Sequence, residues 1–130
     1  MAANPAYATT PRLGVGQISA ANTNRDGTGT IVSVLTGVAA GTKVFEVVAQ
    51  ATVTTTAGMV RLYVSLDAGS TWRLFDEIAI PAVTVGANTP AVRAARLYTN
   101  LVLRDASCQL GASTHNGEAF NVIAQAGDLT

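Results

Sequence analysis

Hydrophobic residues recur at every second position along most of this chain. The clearest run holds Val60, Leu62, Val64 and Leu66, which alternate with other residues between them. Successive side chains of a β-strand point to opposite faces of its sheet, so this period predicts strands with one buried face. The β-branched residues Val, Ile and Thr dominate these runs, as strands prefer. The sequence therefore predicts an all-β fold.

Turn-forming residues separate the runs, for example Asp26-Gly27. Placing one strand between successive turns gives about eight strands, near residues 13–20, 30–36, 43–54, 59–66, 72–80, 93–103, 107–113 and 119–126. That number and spacing favour a two-sheet antiparallel β-sandwich of the jelly-roll type. The one weak helix candidate lies at residues 91–96, around Ala94 and Ala95.

The N-terminal residues differ from the rest of the chain. Residues 1–12 contain Pro5 and Pro11 and show no period. We interpret them as an extended arm, which is either disordered or docked on a neighbouring molecule. Residues 13–130 have the common size of one domain, so we expect a single β-sandwich there.

Charge is scarce in this sequence. Only 12% of the residues are charged, about half of the usual share, whereas 48% are hydrophobic. The 8 basic and 8 acidic residues balance, so no basic field exists to attract nucleic acid. A weakly charged surface has little electrostatic protection against association. We therefore expect part of this surface to be covered in an assembly.

Neither a membrane span nor an export signal is expected. No run approaches the roughly 18 apolar residues of a membrane span. The N-terminal residues lack the basic and then apolar segments of a secretory signal. We therefore expect synthesis in a cytosol and no membrane partner.

Residues 65–72 read Ser-Leu-Asp-Ala-Gly-Ser-Thr-Trp and match the Asp box, Ser-x-Asp-x-Gly-x-Thr-Trp. This motif resembles the turn found in sialidases and other β-propellers. Asp67 can accept hydrogen bonds from the backbone amides that follow it, as in an Asx-turn, and Thr71 is another fixed position of the motif. Gly69 can adopt a positive φ, and Trp72 can lie over the hairpin or the core. A sialidase would also need several blades and a cluster of arginines, so the motif predicts a structural turn.

His115 is the only histidine in the chain. A hydrolase or metal site would pair it with Ser113 or Glu118, but no second histidine exists. We predict instead a loop histidine that contacts backbone or a neighbouring subunit. The alternating oxygens of residues 22–26 faintly suggest a Ca²⁺ loop, against which Arg25 argues. The single Cys108 permits no intrachain disulfide. We therefore expect no catalytic site, no cofactor and no metal.

Three segments carry a family resemblance: Asn-Thr-Asn-Arg-Asp-Gly-Thr-Gly at 22–29, Thr-Ala-Gly-Met-Val-Arg-Leu-Tyr at 56–63, and Ala-Ser-Thr-His-Asn-Gly-Glu-Ala-Phe-Asn-Val at 112–122. Together they are similar to small proteins encoded among the structural genes of tailed bacteriophages. The resemblance implies a virion component, and of the virion roles a capsid decoration or cement protein fits this sequence best. Such proteins are jelly-roll or β-tulip domains that form trimers on the capsid surface and bind the major capsid protein. They are made in the host cytoplasm.

On this reading, the contacts with neighbours come from the arm and from two loops. The candidate contact residues are Pro5, Tyr7, Pro11, Arg25, Asp26, His115 and Asn116. The alternative is another virion module, such as a tail, neck, fibre or host-binding domain. A carbohydrate-binding sandwich usually exposes a row of aromatic residues, which are only 5% of this chain. An enzyme is the last of the alternatives.

Overall fold

The computed structural model describes residues 10–129, which form eight β-strands. These are β1 (Thr10–Ile18), β2 (Val32–Thr36), β3 (Thr42–Ala51), β4 (Gly58–Ser65), β5 (Arg73–Ile80), β6 (Arg93–Leu103), β7 (Gln109–Thr114) and β8 (Phe120–Asp128). Each strand predicted from the sequence overlaps one of them. The weak helix candidate at residues 91–96 does not form a helix, because residues 93–96 pair with β3 as part of β6, as the predicted strand at 93–103 required. Pairing with a neighbouring strand outweighs the weak helical preference of two alanines.

The strands form two four-stranded sheets, with the orders β1-β8-β3-β6 and β2-β7-β4-β5. We call them the β1 sheet and the β2 sheet. The antiparallel pairs β1·β8, β2·β7, β3·β6 and β4·β5 are nested along the chain. The chain thus folds as one long hairpin of nested strand pairs. Two further pairs, β3·β8 and β4·β7, join these nested pairs into two separate sheets. This strand order is that of a jelly roll, and it confirms the predicted fold class.

The hydrophobic core lies between the two sheets. Val44, Val47, Leu62, Leu110 and Phe120 are at most 1% exposed there. Inward and outward residues alternate along most of the strands, as the period in the sequence predicted. Bulges interrupt the alternation between Ser33 and Leu35 of β2 and between Val44 and Glu46 of β3. The free Cys108 is also buried, next to the start of β7.

The two long edges of the sandwich are closed differently. On one edge, β1 approaches β2 so closely that a Cβ on Gly14 would lie 2.4 Å from the Val34 carbonyl oxygen. On the other edge, Phe75 of β5 and Tyr98 of β6 stack with ring centroids 5.3 Å apart. The Tyr98 hydroxyl donates to Asp76 at 2.8 Å. Burial, and then this hydrogen bond, raise the pKa of Tyr98.

The connections lie at two opposite ends of the sandwich. Residues 19–31, 52–57, 81–92 and 115–119 connect strands at one end, and residues 37–41, 66–72 and 104–108 connect them at the other. Pro11 and Arg12, which the sequence analysis placed in the arm, lie in β1. Since Thr10 pairs with Asp128 and Ile18 with Phe120, Pro11 lies at the end opposite to the loop of His115. Within the described residues, no helix is long and apolar enough to cross a membrane.

Candidate interaction surface

The β1–β2 connection covers the outer face of the β2 sheet. Arg61 and Tyr63 alternate with the core residues Val60 and Leu62 and therefore point outward. They are nevertheless only 1% and 0% exposed. The Tyr63 hydroxyl donates to the Asn24 carbonyl oxygen at 2.7 Å, and Arg61 Nη1 donates to the carbonyl oxygen of residue 22 at 3.2 Å. The chain thus supplies its own cover for this sheet.

Asn22 fixes the shape of this covering loop. Its side-chain amide donates to the carbonyl oxygens of Thr28 and Thr30 at 3.0 and 3.1 Å. Its side-chain oxygen accepts from the backbone amide of Asn24 at 3.0 Å. The Asp26 carboxylate accepts from the hydroxyl and then the backbone amide of Thr28, and these bonds lower its pKa. These oxygens serve the loop, and no cluster of metal-binding side chains exists among the described residues.

A charge network lies under and beside the loop. Glu77 accepts hydrogen bonds from Arg25 Nε at 2.7 Å and from Arg61 Nε at 2.8 Å. The bond from Arg25, and then that from Arg61, hold the pKa of Glu77 below its ordinary value of 4.5. Arg61 Nη2 lies 3.1 Å from His115 Nδ1. Because a guanidinium only donates, Nδ1 must accept. Two predicted contact residues, Arg25 and His115, therefore meet in one network on the chain's own sheet.

The loop of His115 is held by similar contacts. Asn116 donates from its side-chain amide to the hydroxyl of Thr56 at 3.0 Å. Glu118 accepts from the backbone amide and the hydroxyl of Thr56 at 2.9 and 2.8 Å. Ser113 Oγ is buried without a hydrogen-bond partner in the described structure. The contacts recorded for His115 and Glu118 do not form the Ser-His-carboxylate chain that a hydrolase needs.

The Asp box forms the turn between β4 and β5. The Asp67 carboxylate accepts from the Thr71 backbone amide and the Ser65 hydroxyl, both at 2.8 Å, and these bonds lower its pKa. Gly69 has a φ of 89° and donates its amide to Ser65 Oγ at 2.9 Å. The ring of Trp72 packs over this hairpin and over β7. The polar groups of Ser65, Asp67, Gly69 and Thr71 named here hydrogen-bond to one another and hold the turn.

No loop among residues 10–129 covers the outer face of the β1 sheet in this way. Leu13, Val15, Leu97 and Val102 point outward from its two edge strands and are 65%, 58%, 77% and 46% exposed. We call this surface the open face. It consists of rows of outward-pointing residues, each of which crosses β1, β8, β3 and β6 in that order.

Two rows carry the apolar part of the open face. The valine row is Val15, Ile123, Val48 and Ala95, and the leucine row is Leu13, Gln125, Glu46 and Leu97. Cross-strand partners point to the same side of a sheet, so each row is continuous across all four strands. Val48, in the middle of its row, is 5% exposed and does not belong to the core cluster.

Two further rows flank them. The amide row is Gln17, Asn121, Gln50 and Arg93, and the end row is Pro11, Gly127, Lys43 and Val102. Gln17 donates from its side-chain amide to Asn121 at 3.4 Å, as expected of neighbours on one face. Glu46, Lys43 and Arg93 are the only charged members of the four rows. The open face is therefore broad, nearly uncharged and largely apolar.

The open face was not among the residues predicted from the sequence. Of the predicted contact residues, Pro11 lies in the end row, whereas Arg25, Asp26, His115 and Asn116 lie on the β2 sheet and its loops. Pro5 and Tyr7 lie outside the described residues. A signal was present in β1, where Leu13 and Val15 alternate with glycines that themselves face the core. Glycine inside a strand often marks the close approach of another backbone, so the residues between the glycines, Leu13 and Val15, point to the other face.

No protein-family model and no characterised protein sequence matches the chain. The solved structures of similar shape include the cyanophage Pam1 capsid asymmetric unit, at 16% identity and a TM-score of 0.48 over 100% of this chain and 92% of that one. The T13 particle of IBDV matches at 12% identity and a TM-score of 0.40, over 98% of this chain and 35% of that one. The structure of infectious bursal disease virus of the Gt strain matches at 12% identity and a TM-score of 0.36, over 98% of this chain and 36% of that one. By its fold, the chain is an all-β sandwich with the strand order of a jelly roll.

Proposed function

We propose that this chain is a non-enzymatic structural protein of a virion, which decorates and stabilises a phage capsid by binding the major capsid protein. The open face carries the proposal. One sheet is covered by the chain's own loop, while the other presents Leu13, Val15 and Leu97 to the surroundings. Exposed apolar surface of this extent marks a site of association. The similarity of three sequence segments to structural proteins of tailed phages supplies the setting.

The same surface explains how such a protein would work without catalysis. Packing of apolar side chains needs no reactive group, and the surface of this chain offers few charges that would oppose it. A decoration protein acts in many copies. Contacts that are individually weak then become strong together, because each bound copy raises the effective concentration of the next.

The candidate contact residues divide between two ends of the sandwich. Pro11 lies at the end from which the N-terminal arm departs, and the loop of His115 and Asn116 lies at the opposite end. In this proposal the arm, with Pro5 and Tyr7, contacts one neighbour. The loops with Arg25, Asp26, His115 and Asn116 contact another. Copies associate into a homo-oligomer, for which the family resemblance implies a trimer.

The test is binding to particles assembled from the major capsid protein of the same phage. Purified chain is added to undecorated particles, and occupancy is measured by cosedimentation and by cryo-electron microscopy. We expect saturable binding at repeated positions on the shell. Absence of binding, or density only at a tail or neck, would contradict a decoration role and favour the other virion modules.

The arm is tested separately by deleting residues 1–9. The described domain begins at Thr10, so we expect the truncated chain to keep its far-ultraviolet circular dichroism. We expect its occupancy on particles to fall at least tenfold. A full-length variant with Pro5→Ala and Tyr7→Ala is the matched control for the side chains. Unchanged occupancy of the truncated chain would remove the arm from the contact.

A further inference from the structure

We infer that the open face pairs with the same face of a second copy of this chain, across a two-fold axis that runs parallel to the strands between β8 and β3. The inference rests on the proposed structural function and assigns the open face to a second copy. This two-fold contact is distinct from the contacts within the trimer that the family resemblance implies, which the arm and the loops would make. A two-fold contact uses the same patch on both copies, so the patch must be complementary to itself. The rows of the open face meet this condition.

The position of the axis decides which strands meet. Rotation about a line between β8 and β3 places β1 over β6 of the second copy and β8 over β3. Heights along the strands are preserved, so each row faces the same row of the second copy in reverse order. Packed sheets keep their strand directions within about 30° of each other, which such an axis allows.

The apolar rows then meet apolar partners. In the leucine row, Leu13 faces Leu97 of the second copy, and these are the two most exposed large hydrophobic residues of the open face. In the valine row, Val15 faces Ala95 and Ile123 faces Val48. Association would therefore cover the large apolar side chains that the isolated chain leaves exposed.

The polar residues also find suitable partners. Glu46 faces the amide of Gln125, and Arg93 faces the amide of Gln17, so no two like charges meet. In the end row, Lys43 faces Gly127, which has no side chain to oppose it, and its ammonium lies 5.9 Å from the centre of the Phe45 ring of the same strand. Like charges directly opposite each other would oppose association, and this arrangement avoids them in all four rows.

A two-fold axis perpendicular to the strands is less favourable. An axis through the valine row would place Leu13 over Gln17 and Leu97 over Arg93, so the two most exposed leucines would face polar side chains and leave them poorly solvated. An axis between the valine and leucine rows would place the Glu46 carboxylate over the apolar Val48. The parallel axis is therefore the one that the distribution of residues supports.

The size of the face predicts a weak pair. Eight residues at about 3.3 Å and four strands at about 4.8 Å give a surface of roughly 500 Å² on each copy. Two copies would bury about 1,000 Å², the lower limit for a specific interface. We therefore expect a reversible dimer in solution, which the shell strengthens by holding copies close together.

The first test is self-association of the full chain, measured by sedimentation over a concentration series. Leu13→Glu buries a charge in the pair, and we expect it to lower the association constant at least tenfold. Leu66→Glu is the matched control, because Leu66 is 64% exposed but lies in the β4–β5 turn. A monomer at all concentrations, or equal losses in both variants, would overturn the inference.

The second test fixes the axis by cross-linking. Packed sheets lie about 10 Å apart, beyond the reach of a disulfide, so a short bismaleimide is used. A mixture of Leu13→Cys and Leu97→Cys chains should cross-link between copies, whereas Val15→Cys should not cross-link to itself. The reverse result would overturn the parallel axis. The native Cys108 is buried, and the unmodified chain is the background control.

These outcomes separate the inference from the proposed function. If the chain binds particles but neither dimerises nor cross-links, the pairing is overturned and the decoration role is still supported. If Leu13→Glu abolished particle binding in a chain that is always monomeric, the open face would bind the capsid protein itself. A dimer that binds no particle would support the pairing and contradict decoration.

Discussion

Arg61 is buried under the β1–β2 connection, and the Glu77 carboxylate offsets its charge at 2.8 Å. Glu77→Gln keeps the size of the side chain and removes that charge. Breaking a buried ion pair from one side costs about 3–5 kcal/mol. Because the Glu77 side chain is 27% exposed, we expect the lower end of this range. The free energy of unfolding should fall by about 3 kcal/mol. Urea denaturation at neutral pH measures it.

The matched control is Arg25→Gln, which removes the other cation bound to Glu77. The Arg25 side chain is 59% exposed, and exposed pairs contribute at most about 1 kcal/mol. We therefore expect a small change in the free energy of unfolding. If both variants lost the same stability, the burial of Arg61 would not be the reason for the importance of Glu77.

The same carboxylate gives the stability a pH dependence. The pKa of Glu77 is lowered in the folded chain, so its contribution is complete above the ordinary value of 4.5 and is lost as the pH falls through the lower folded value. Asp67 and Asp105, whose pKa values are also lowered, act in the same direction. We expect the stability of Glu77→Gln to fall less steeply with acid than that of the unchanged chain. Denaturation curves taken below pH 4.5 test this expectation, and equal slopes would contradict it.

Gly111 lets the ring of Trp72 lie against β7. A Cβ at this position would lie 2.8 Å from two ring carbons of Trp72 and 2.9 Å from Ile31. We expect Gly111→Ala to displace the ring and to cost about 1–3 kcal/mol, as overpacking does. The fluorescence of the only tryptophan should shift to longer wavelength. Gly86→Ala is the control, since its Cβ would meet only Thr89, at 4.0 Å, and it should change neither quantity.

The contacts of a single residue were predictable from the sequence where all its partners lie close to it in the chain. The Asp box predicted the turn around Asp67 and Gly69 because all its partners lie within eight residues. The burial of Arg61 was not predictable, since its cover comes from residues 22–24, 37 or more positions away. An arginine at an outward position of a strand ordinarily indicates a solvated face.

Among the elements, the β1–β2 connection differs most from an ordinary loop, because it acts as a third layer over the β2 sheet. Asn22 is 5% exposed and holds this layer through its side-chain amide. We expect Asn22→Ala to cost about 1–3 kcal/mol, the penalty for buried groups that lose their partners. Amide exchange of residues 23–30 should accelerate before global unfolding. Asn24→Ala, at an exposed position, is the control. Equal acceleration of amide exchange in the Asn24→Ala variant would contradict the special role of Asn22.

The strands themselves were predictable, and their faces only in part. Alternation located eight strands because each pairs with neighbours and buries one face. In the β1 sheet, however, both faces are rich in apolar residues. Val47 and Ala49 of β3 enter the core, while Val48 between them belongs to the open face. Periodicity alone does not distinguish a strand with two apolar faces from a strand buried on both sides.

For the whole molecule, the order of strands was beyond the reach of the sequence pattern. The first strand pairs with the last, Thr10 with Asp128, and every other pair is nested inside this one. Local turn signals predict where strands end, but they contain no information on pairing between segments far apart in the chain. The jelly-roll order was therefore favoured only by the number and spacing of the strands.

The balance of charge over the whole molecule leads to a last prediction. The chain carries 8 basic and 8 acidic residues, and its open face pairs large apolar side chains. Raising the ionic strength from about 0.01 M to about 1 M shortens the Debye length from about 30 Å to about 3 Å and screens exposed charges. We expect the association constant of the dimer to change less than about threefold over this range.

Sodium sulfate should strengthen association, because salts that are excluded from the protein surface favour apolar burial. A loss of more than about tenfold in sodium chloride would mean that Glu46, Lys43 and Arg93 dominate the contact. Leu97→Lys adds a charge to the face, so the salt dependence that it introduces is the positive control for this measurement.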